Sequence, residues 1–509
     1  MVAFAKKLAA ERPEEVALRD PERTLSWADL DDALNRTANR LLAADLGSHH
    51  RIAVFAENAV ETAIAHMGGL IGGASSVPVN FHLTAEEVAY ILQDSDTRIL
   101  FVGPETAERG IAAAREAGVE TVIGWRCETF EGVESWTGWL DDSSGDDPPM
   151  DHAPRPNLLY TSGTTGRPKG TNLPPTMFAA GDTVGEHLES VAKGLFATFG
   201  THGVIGPLYH TGPLSGSRTL VAGVPVVILG RFDAETTLRA IQDYGIASSV
   251  LVPTHFVRML ALPEETRTKF DLSSLKWIAH TGAACPVDVK RAMIEWWGPV
   301  LSEAYGASEV GTTCSITSPE WLEHPGSVGR AVPPFEALIV DEEGNELPPN
   351  TEGRLYFKDA TGRGVVYHND AEKSAAAHLR PGVFTLGEIG YVDEAGYVFI
   401  TDRFSDMILS GGVNIYPAEA ENVLINHPGI ADVACIGVPN EEMGEELKAL
   451  VIPENPTAPP DELEIIAWIR ERISTFKCPR SVEIVDDLGR NSMGKINKRK
   501  LRAPYWESN

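Results

Sequence analysis

Residues 160–170 read Tyr-Thr-Ser-Gly-Thr-Thr-Gly-Arg-Pro-Lys-Gly directly after the apolar pair Leu158-Leu159, and no other stretch restricts the fold as much. Gly163, Gly166 and Gly170 let a backbone approach anionic oxygens without Cβ interference; Thr161, Ser162, Thr164 and Thr165 supply hydroxyl donors; Lys169 adds a point charge. That inventory suits a loop wrapped around a polyphosphate. The common phosphate loop ends in Gly-Lys-Ser/Thr, whereas Lys169 stands between Pro168 and Gly170, so the run implies a different nucleotide fold.

The chain has 509 residues, beyond the size at which one core stops growing, so at least two domains are expected. No apolar run is long enough to span a bilayer, and the segment 1–12, carrying Lys6, Lys7 and Glu11, lacks a signal-peptide pattern; a cytoplasmic protein without a membrane span is the default expectation. A formal charge of −29 disfavours nucleic acid or anionic lipid as the main partner, so any anionic substrate must be met by local positive charge. The scattered Cys127, Cys285, Cys314, Cys435 and Cys478 read as reduced packing residues rather than as a disulfide framework or zinc site. One basic stretch, 490–502, holds Arg490, Lys495, Lys498, Arg499, Lys500 and Arg502 without an acid. Its end reads as a solvated helix, while Lys495 follows Ser492-Met493-Gly494, a flexible lead suited to a mobile loop.

Helical patterns such as Trp27–Leu42 alternate with short apolar runs such as Arg51–Phe55 and Arg98–Val102, which predicts α/β layers with parallel strands. The alternation continues through strand Val226–Leu229, helix Ala234–Tyr244, strand Ser249–Val252 and helix Pro286–Trp297. Around 390–400 it gives way to hairpin material. Downstream, a helix from Pro417, strands at Val433–Val438 and Leu447–Ile452, a helix over Asp461–Arg472 and a terminal helix make a small α+β unit. The expected organisation is a large multi-layer domain over 1–402 and a small mobile domain over 403–509, with the hinge near Asp402–Ser405.

Further segments suit a nucleotide and carboxylate site. Pro207-Leu208-Tyr209-His210 offers an imidazole at a strand or loop end; His280-Thr281-Gly282-Ala283-Ala284-Cys285-Pro286 is a small-residue turn able to lie against a flat base. Glu303-Ala304-Tyr305-Gly306-Ala307-Ser308-Glu309 joins an aromatic face, a hydroxyl and a hard oxygen ligand for Mg²⁺. Leu386-Gly387-Glu388, Thr401-Asp402-Arg403 and the segment Ser410-Gly411-Gly412 through Glu421 complete the set. With their order and spacing, these motifs make the whole chain resemble the adenylate-forming superfamily of acyl-CoA synthetases, peptide-synthetase adenylation domains and firefly luciferase, closest to the acyl-CoA synthetases.

The resemblance implies an ATP-dependent, magnesium-requiring ligase. A carboxylate attacks the ATP α-phosphate to give an acyl-adenylate and pyrophosphate, a thiol then takes the acyl group and AMP leaves, and the small domain rotates between the steps. It further implies that Thr161, Ser162, Gly163, Thr164, Thr165, Gly166 and Lys169 grip the β- and γ-phosphates, with Thr161 and Glu309 at the metal. Gly282, Ala283, Ala284, Tyr305 and Gly306 would line the adenine, Ser308 the α-phosphate, Glu388 and Arg403 the ribose. Lys495 would bridge the carboxylate and the reacting phosphate, and His210 would border the acyl and thiol paths. Coenzyme A is the implied acceptor, with Ser410, Gly411 and Gly412 lining a pantetheine channel and Arg480 meeting the nucleotide phosphates.

The chain departs from the pattern at Glu388, where aspartate is usual, at Ser308 for threonine, at hinge residue Ser405 and at Gly489 for proline. Segments Thr201–Gly206, Val252–Phe256 and His280–Ala284 would wall a roomy apolar acid pocket, which suits an aromatic, alicyclic or medium-to-long aliphatic acid. His255 and His280 there read first as hydrogen-bonded core histidines, and a metal site built from His202, His210, His255 and His280 is disfavoured. An amide synthetase passing the acyl group to an amine, and a non-catalytic nucleotide-binding protein, are the alternatives; a homodimer is compatible with all three.

Overall fold

A computed structural model describes residues 5–506 apart from 128–129, 162–168, 175–179, 195–197, 404–405, 411–412, 441–442, 474 and 492–493. The alternating pattern near the start becomes a parallel sheet in the order Ser75–Pro78, Arg51–Phe55, Ile99–Val102, Thr121–Gly124, Glu134–Ser135. Its apolar strands are buried on both faces, as a parallel sheet requires. The first long helix, Trp27–Ala43, starts where Ser26 and Asp29 form a reciprocal capping box.

A second, larger sheet carries most of the remaining strands of the first four hundred residues. Strands Val16–Arg19, Val226–Ile228, His202–Val204, Ser248–Leu251, Trp277–His280 and Leu301–Ala307 lie side by side and parallel. Beyond Leu301–Ala307 the direction reverses: Gly311–Thr317, Gly329–Ala331, Tyr397–Arg403, Glu388–Val392 and Gly353–Asp359 continue the same sheet antiparallel. The expectation of parallel layers therefore holds for only part of this sheet. Between Trp297 and Tyr397 the described residues hold only the short helices Ser318–Glu323 and Ala371–Ala376, so no long crossover helix returns the chain there for another parallel strand.

Strand Tyr397–Arg403 belongs to the large sheet and strand Ile408–Ser410 to the small one, so the chain changes sheets across the segment read as a hinge. The small sheet is dominated by the long hairpin Ile430–Asn440 and Gly444–Pro453, with Ser481–Ile484 added in parallel. Helices Pro417–Leu424 and Glu462–Arg470 cover a separate core of Ile408, Leu424, Cys435, Val451 and Ile469. Cys127, Cys285, Cys314, Cys435 and Cys478 are not joined by disulfides.

Candidate active site

Parallel strands deliver their carboxyl ends to one edge, the place where open α/β sheets hold ligands. After His202–Val204 the chain reaches His210, which precedes the helix Thr211–Ser217. After Ser248–Leu251 it reaches Thr254 at the start of Pro253–Leu260. After Trp277–His280 it turns through Gly282 at φ +90°, which a glycine adopts freely. After Leu301–Ala307 come Ser308 and Glu309.

These ends meet: the Thr211 and Ser308 hydroxyls lie 3.2 Å apart, and a Cβ on Gly212 would sit 3.9 Å from Thr281. Gly306 owes its identity to the turn in the sheet, since a Cβ there would fall 1.9 Å from the Gly311 carbonyl, beside the register shift at Tyr305/Gly306. Tyr305 packs with Phe357 at 6.1 Å between ring centres.

The glycine-threonine run lies between two paired strands, Leu158–Thr161 and Lys169–Asn172, with Thr161 opposite Lys169. Ser162, Gly163, Thr164, Thr165 and Gly166 lie outside the described residues, as do the side chains of Thr161 and Lys169. The hairpin is tied to the rest of the site by a backbone bridge from Thr171 to Tyr367 and a 2.8 Å bond from the His368 amide to the Gly170 carbonyl. Burial, and after it the nearby Glu309 carboxylate, raise the Tyr367 pKa, while Lys373 covers the Tyr367 ring at 3.8 Å. Tyr367 thus lies between the glycine-threonine hairpin and Glu309, the acid expected at the metal, a place that no local pattern announces. On the other side the Tyr160 hydroxyl donates to Asp94 at 2.6 Å.

Glu388 is buried and stands directly across the ladder from Arg403, the pair expected at the ribose; the Arg403 side chain lies outside the described residues. Ser410 is buried at the end of an inner strand of the small sheet, Gly411 and Gly412 lie outside the described residues, and Arg480 is exposed just before Ser481–Ile484.

Lys495 arrives from the small domain. Gly494 is packed so closely on the large domain that a Cβ would fall 2.1 Å from the Thr254 hydroxyl. Burial, with the nearby Lys495 charge adding to it, pushes the His210 pKa down to about 3. The imidazole is therefore neutral at physiological pH, and its Nε2 is buried without a hydrogen-bond partner, free to meet a substrate atom.

Other polar groups here escape sequence reading. Lys290, in the helix Val287–Trp297, is fully buried and donates to Glu303 at 2.6 Å. Burial lowers the lysine pKa and raises that of the acid, and the hydrogen bond holds the pair together. His280 is fully buried with neither ring nitrogen hydrogen-bonded and its Nε2 3.7 Å from Glu303, which corrects the reading of a hydrogen-bonded core histidine. His255 keeps that role loosely, stacking on Phe232 and accepting from the Val252 amide at 3.5 Å. A second correction concerns Lys498: it is no solvated helix residue, its side chain being 12 % exposed and paired with Glu421 at 2.8 Å. Gly489 has φ +63°, a conformation closed to proline, which accounts for its departure from the pattern.

The family model of AMP-binding enzymes matches residues 5–365 and that of the AMP-binding enzyme C-terminal domain matches 419–495. The fatty acid–[acyl-carrier-protein] ligase ScoC of Streptomyces coeruleorubidus is 34 % identical over 98 % of this chain and 95 % of its own. The indoleacetate–CoA ligase of Aromatoleum aromaticum is 33 % identical over 96 % and 95 %. Among solved structures, the amide bond synthetase McbA of Marinactinospora thermotolerans superposes with a TM-score of 0.82 at 25 % identity, covering 99 % of each chain. With family models matching residues 5–365 and 419–495 and relatives aligned along nearly its whole length, the chain belongs to the AMP-binding enzyme family.

Proposed function

We propose that the protein is an AMP-forming acid–thiol ligase that activates an apolar carboxylic acid with ATP and passes the acyl group to coenzyme A. The observation that carries this reading is Lys495, presented by the small domain to the strand ends beside His210 and Thr254. A nucleotide-binding protein has no need of a lysine delivered from a second domain. At that place the ammonium would neutralise charge that develops between carboxylate and α-phosphate, an interaction stronger in the transition state than in the ground state.

Ser308 and Thr211 would donate hydroxyl hydrogens to the same phosphate, Tyr305 would face the adenine, and Glu388 with Arg403 would hold the ribose. The hard oxygen of Glu309, with Tyr367 nearby, fits magnesium, which when bound with ATP would neutralise phosphate charge. His210, neutral and buried, would border the acid without competing for its proton. Phe256 lies against His280 at 5.5 Å and Phe232 against His255 at 4.2 Å, which favours an aromatic or bulky aliphatic acid over a small one.

An amide synthetase is the second reading, favoured by the close superposition on McbA. Pyrophosphate release across aliphatic, aromatic and alicyclic acids with ATP and Mg²⁺, each with and without coenzyme A and with products weighed by mass spectrometry, separates the two. Acyl-CoA formation supports the ligase; turnover that ignores coenzyme A and rises with an amine or a carrier-protein thiol moves the acceptor elsewhere; silence across the panel contradicts adenylation itself.

A further inference from the structure

Lys495 sits on a turn that two flexible glycines flank, Gly489 at φ +63° and Gly494 at φ +74°, yet its backbone is held from several sides. The Asn491 amide donates to the Lys495 carbonyl at 2.9 Å, the Lys495 amide to the Asn491 side-chain oxygen at 2.9 Å, and the Gly494 amide to the Asn491 carbonyl at 2.8 Å. Arg490 governs this turn. Its Nε and one terminal nitrogen each meet an Asp432 oxygen at 2.6 Å, and the other terminal nitrogen donates to the Gly494 carbonyl. A single guanidinium therefore ties the residue before the lysine to a carboxylate on the small sheet. Asp432 reaches the turn from a register shift between Ile430 and Asp432, and one of its oxygens also accepts from the Val433 amide at 2.8 Å. On the far side of the lysine, Lys498 is anchored to Glu421, whose other contact is the Cys435 amide at 2.6 Å.

We propose that Asp432 and Arg490 are positioning residues for Lys495: their fork couples the lysine turn rigidly to the long hairpin of the small domain, so that the lysine reaches the reacting atoms only as that domain docks. The inference rests on the ligase reading above and adds a consequence peculiar to it. The fork touches no substrate and serves only the half-reaction that uses Lys495. Loosening it costs adenylation and spares thioester formation, whereas a merely structural ion pair would lower both or neither.

The test uses the full-length protein with Asp432→Asn, which keeps an acceptor for Val433, and Arg490→Lys, which keeps the charge but cannot fork. With the panel acid that releases pyrophosphate fastest, release by Asp432→Asn should fall about tenfold, the scale of a small misplacement of a reacting group. Thioester formation from the synthetic acyl-adenylate of that acid should stay at the wild-type rate, and Arg490→Lys should fall between. Hydrogen exchange of the peptide containing Gly494 and Lys495 should quicken in both variants while the hairpin Ile430–Asn440 stays protected, a readout that needs no turnover. Unchanged exchange, unchanged pyrophosphate release, or equal loss of both half-reactions overturns the inference. Lys495→Ala run alongside separates the two claims: if it still releases pyrophosphate normally, the ligase reading falls, and if it does not while Asp432→Asn does, only the fork falls.

Discussion

The strand-end platform and the lysine turn meet where Gly494 lies against Thr254 but are built by opposite means. The platform stands on buried parallel strands, a fully buried Lys290–Glu303 pair and close backbone contacts such as that at Gly306. The lysine turn is short, glycine-flanked and fastened by ion pairs, with the Arg490 and Asp432 side chains 38 % and 22 % exposed. On the proposed reading, the groups that would keep one geometry while nucleotide and acid bind are set in a core, and the lysine that would come and go is carried by the smaller body with its own core. That reading calls for rigidity within each body and movement between them.

Acid should expose the contrast most strongly. His66 and His210 are pushed down to about 3 by burial, His187, His202 and His255 to about 4, and His280 well below its ordinary value of 6.5, all in the large domain. The unfolded chain binds protons that these folded rings refuse, so their neutral burial is without penalty above pH 6.5 and the large domain loses stability progressively as pH falls toward 4. The small domain has His427 alone, with its pKa lowered by burial. Hydrogen exchange on stepping from pH 7 to pH 4.5 should open the large sheet first; simultaneous opening, or the small domain first, would break the comparison.

Lys290→Ala should be the most damaging single change to the platform, about 3–5 kcal/mol of stability, because Glu303 would remain buried and unpaired. Denaturant unfolding measures it, and pairing it with Glu303→Leu should recover much of the loss. Gly306→Ala should cost about 1–3 kcal/mol by pressing on the Gly311 carbonyl, with adenylation falling in parallel. Glu388→Asp, which shortens the acid facing Arg403 to the usual family residue, should move the ATP KM no more than about threefold, on the order of 0.5 kcal/mol. A much larger rise would show that the longer side chain is built into this site.

The difference between the two regions also governs what can be read from sequence. The helix Ala234–Tyr244 and strand Arg51–Phe55 fall where apolar spacing puts them, because their patterns are local. The facing of Glu388 and Arg403 across one hairpin follows from a turn between two alternating runs. Lys290 looks like any solvated lysine on an amphipathic helix, and only the strand carrying Glu303 beneath it reveals otherwise. Lys498 misled for the same reason, its partner Glu421 lying far away in sequence. Tyr367 and Asp432 carry no motif at all: one is identified by the hairpin and carboxylate it lies between, the other by a register shift in a strand, and both depend on contacts between distant segments.

The most direct measurement follows both half-reactions of Lys495→Ala separately, pyrophosphate release with the best panel acid and thioester formation from its synthetic adenylate. Loss of about 3–4 kcal/mol of transition-state stabilisation in the first, with the second unchanged, is the expected result for a lysine delivered to a fixed platform for one step. Equal loss in both, or none in either, would contradict it.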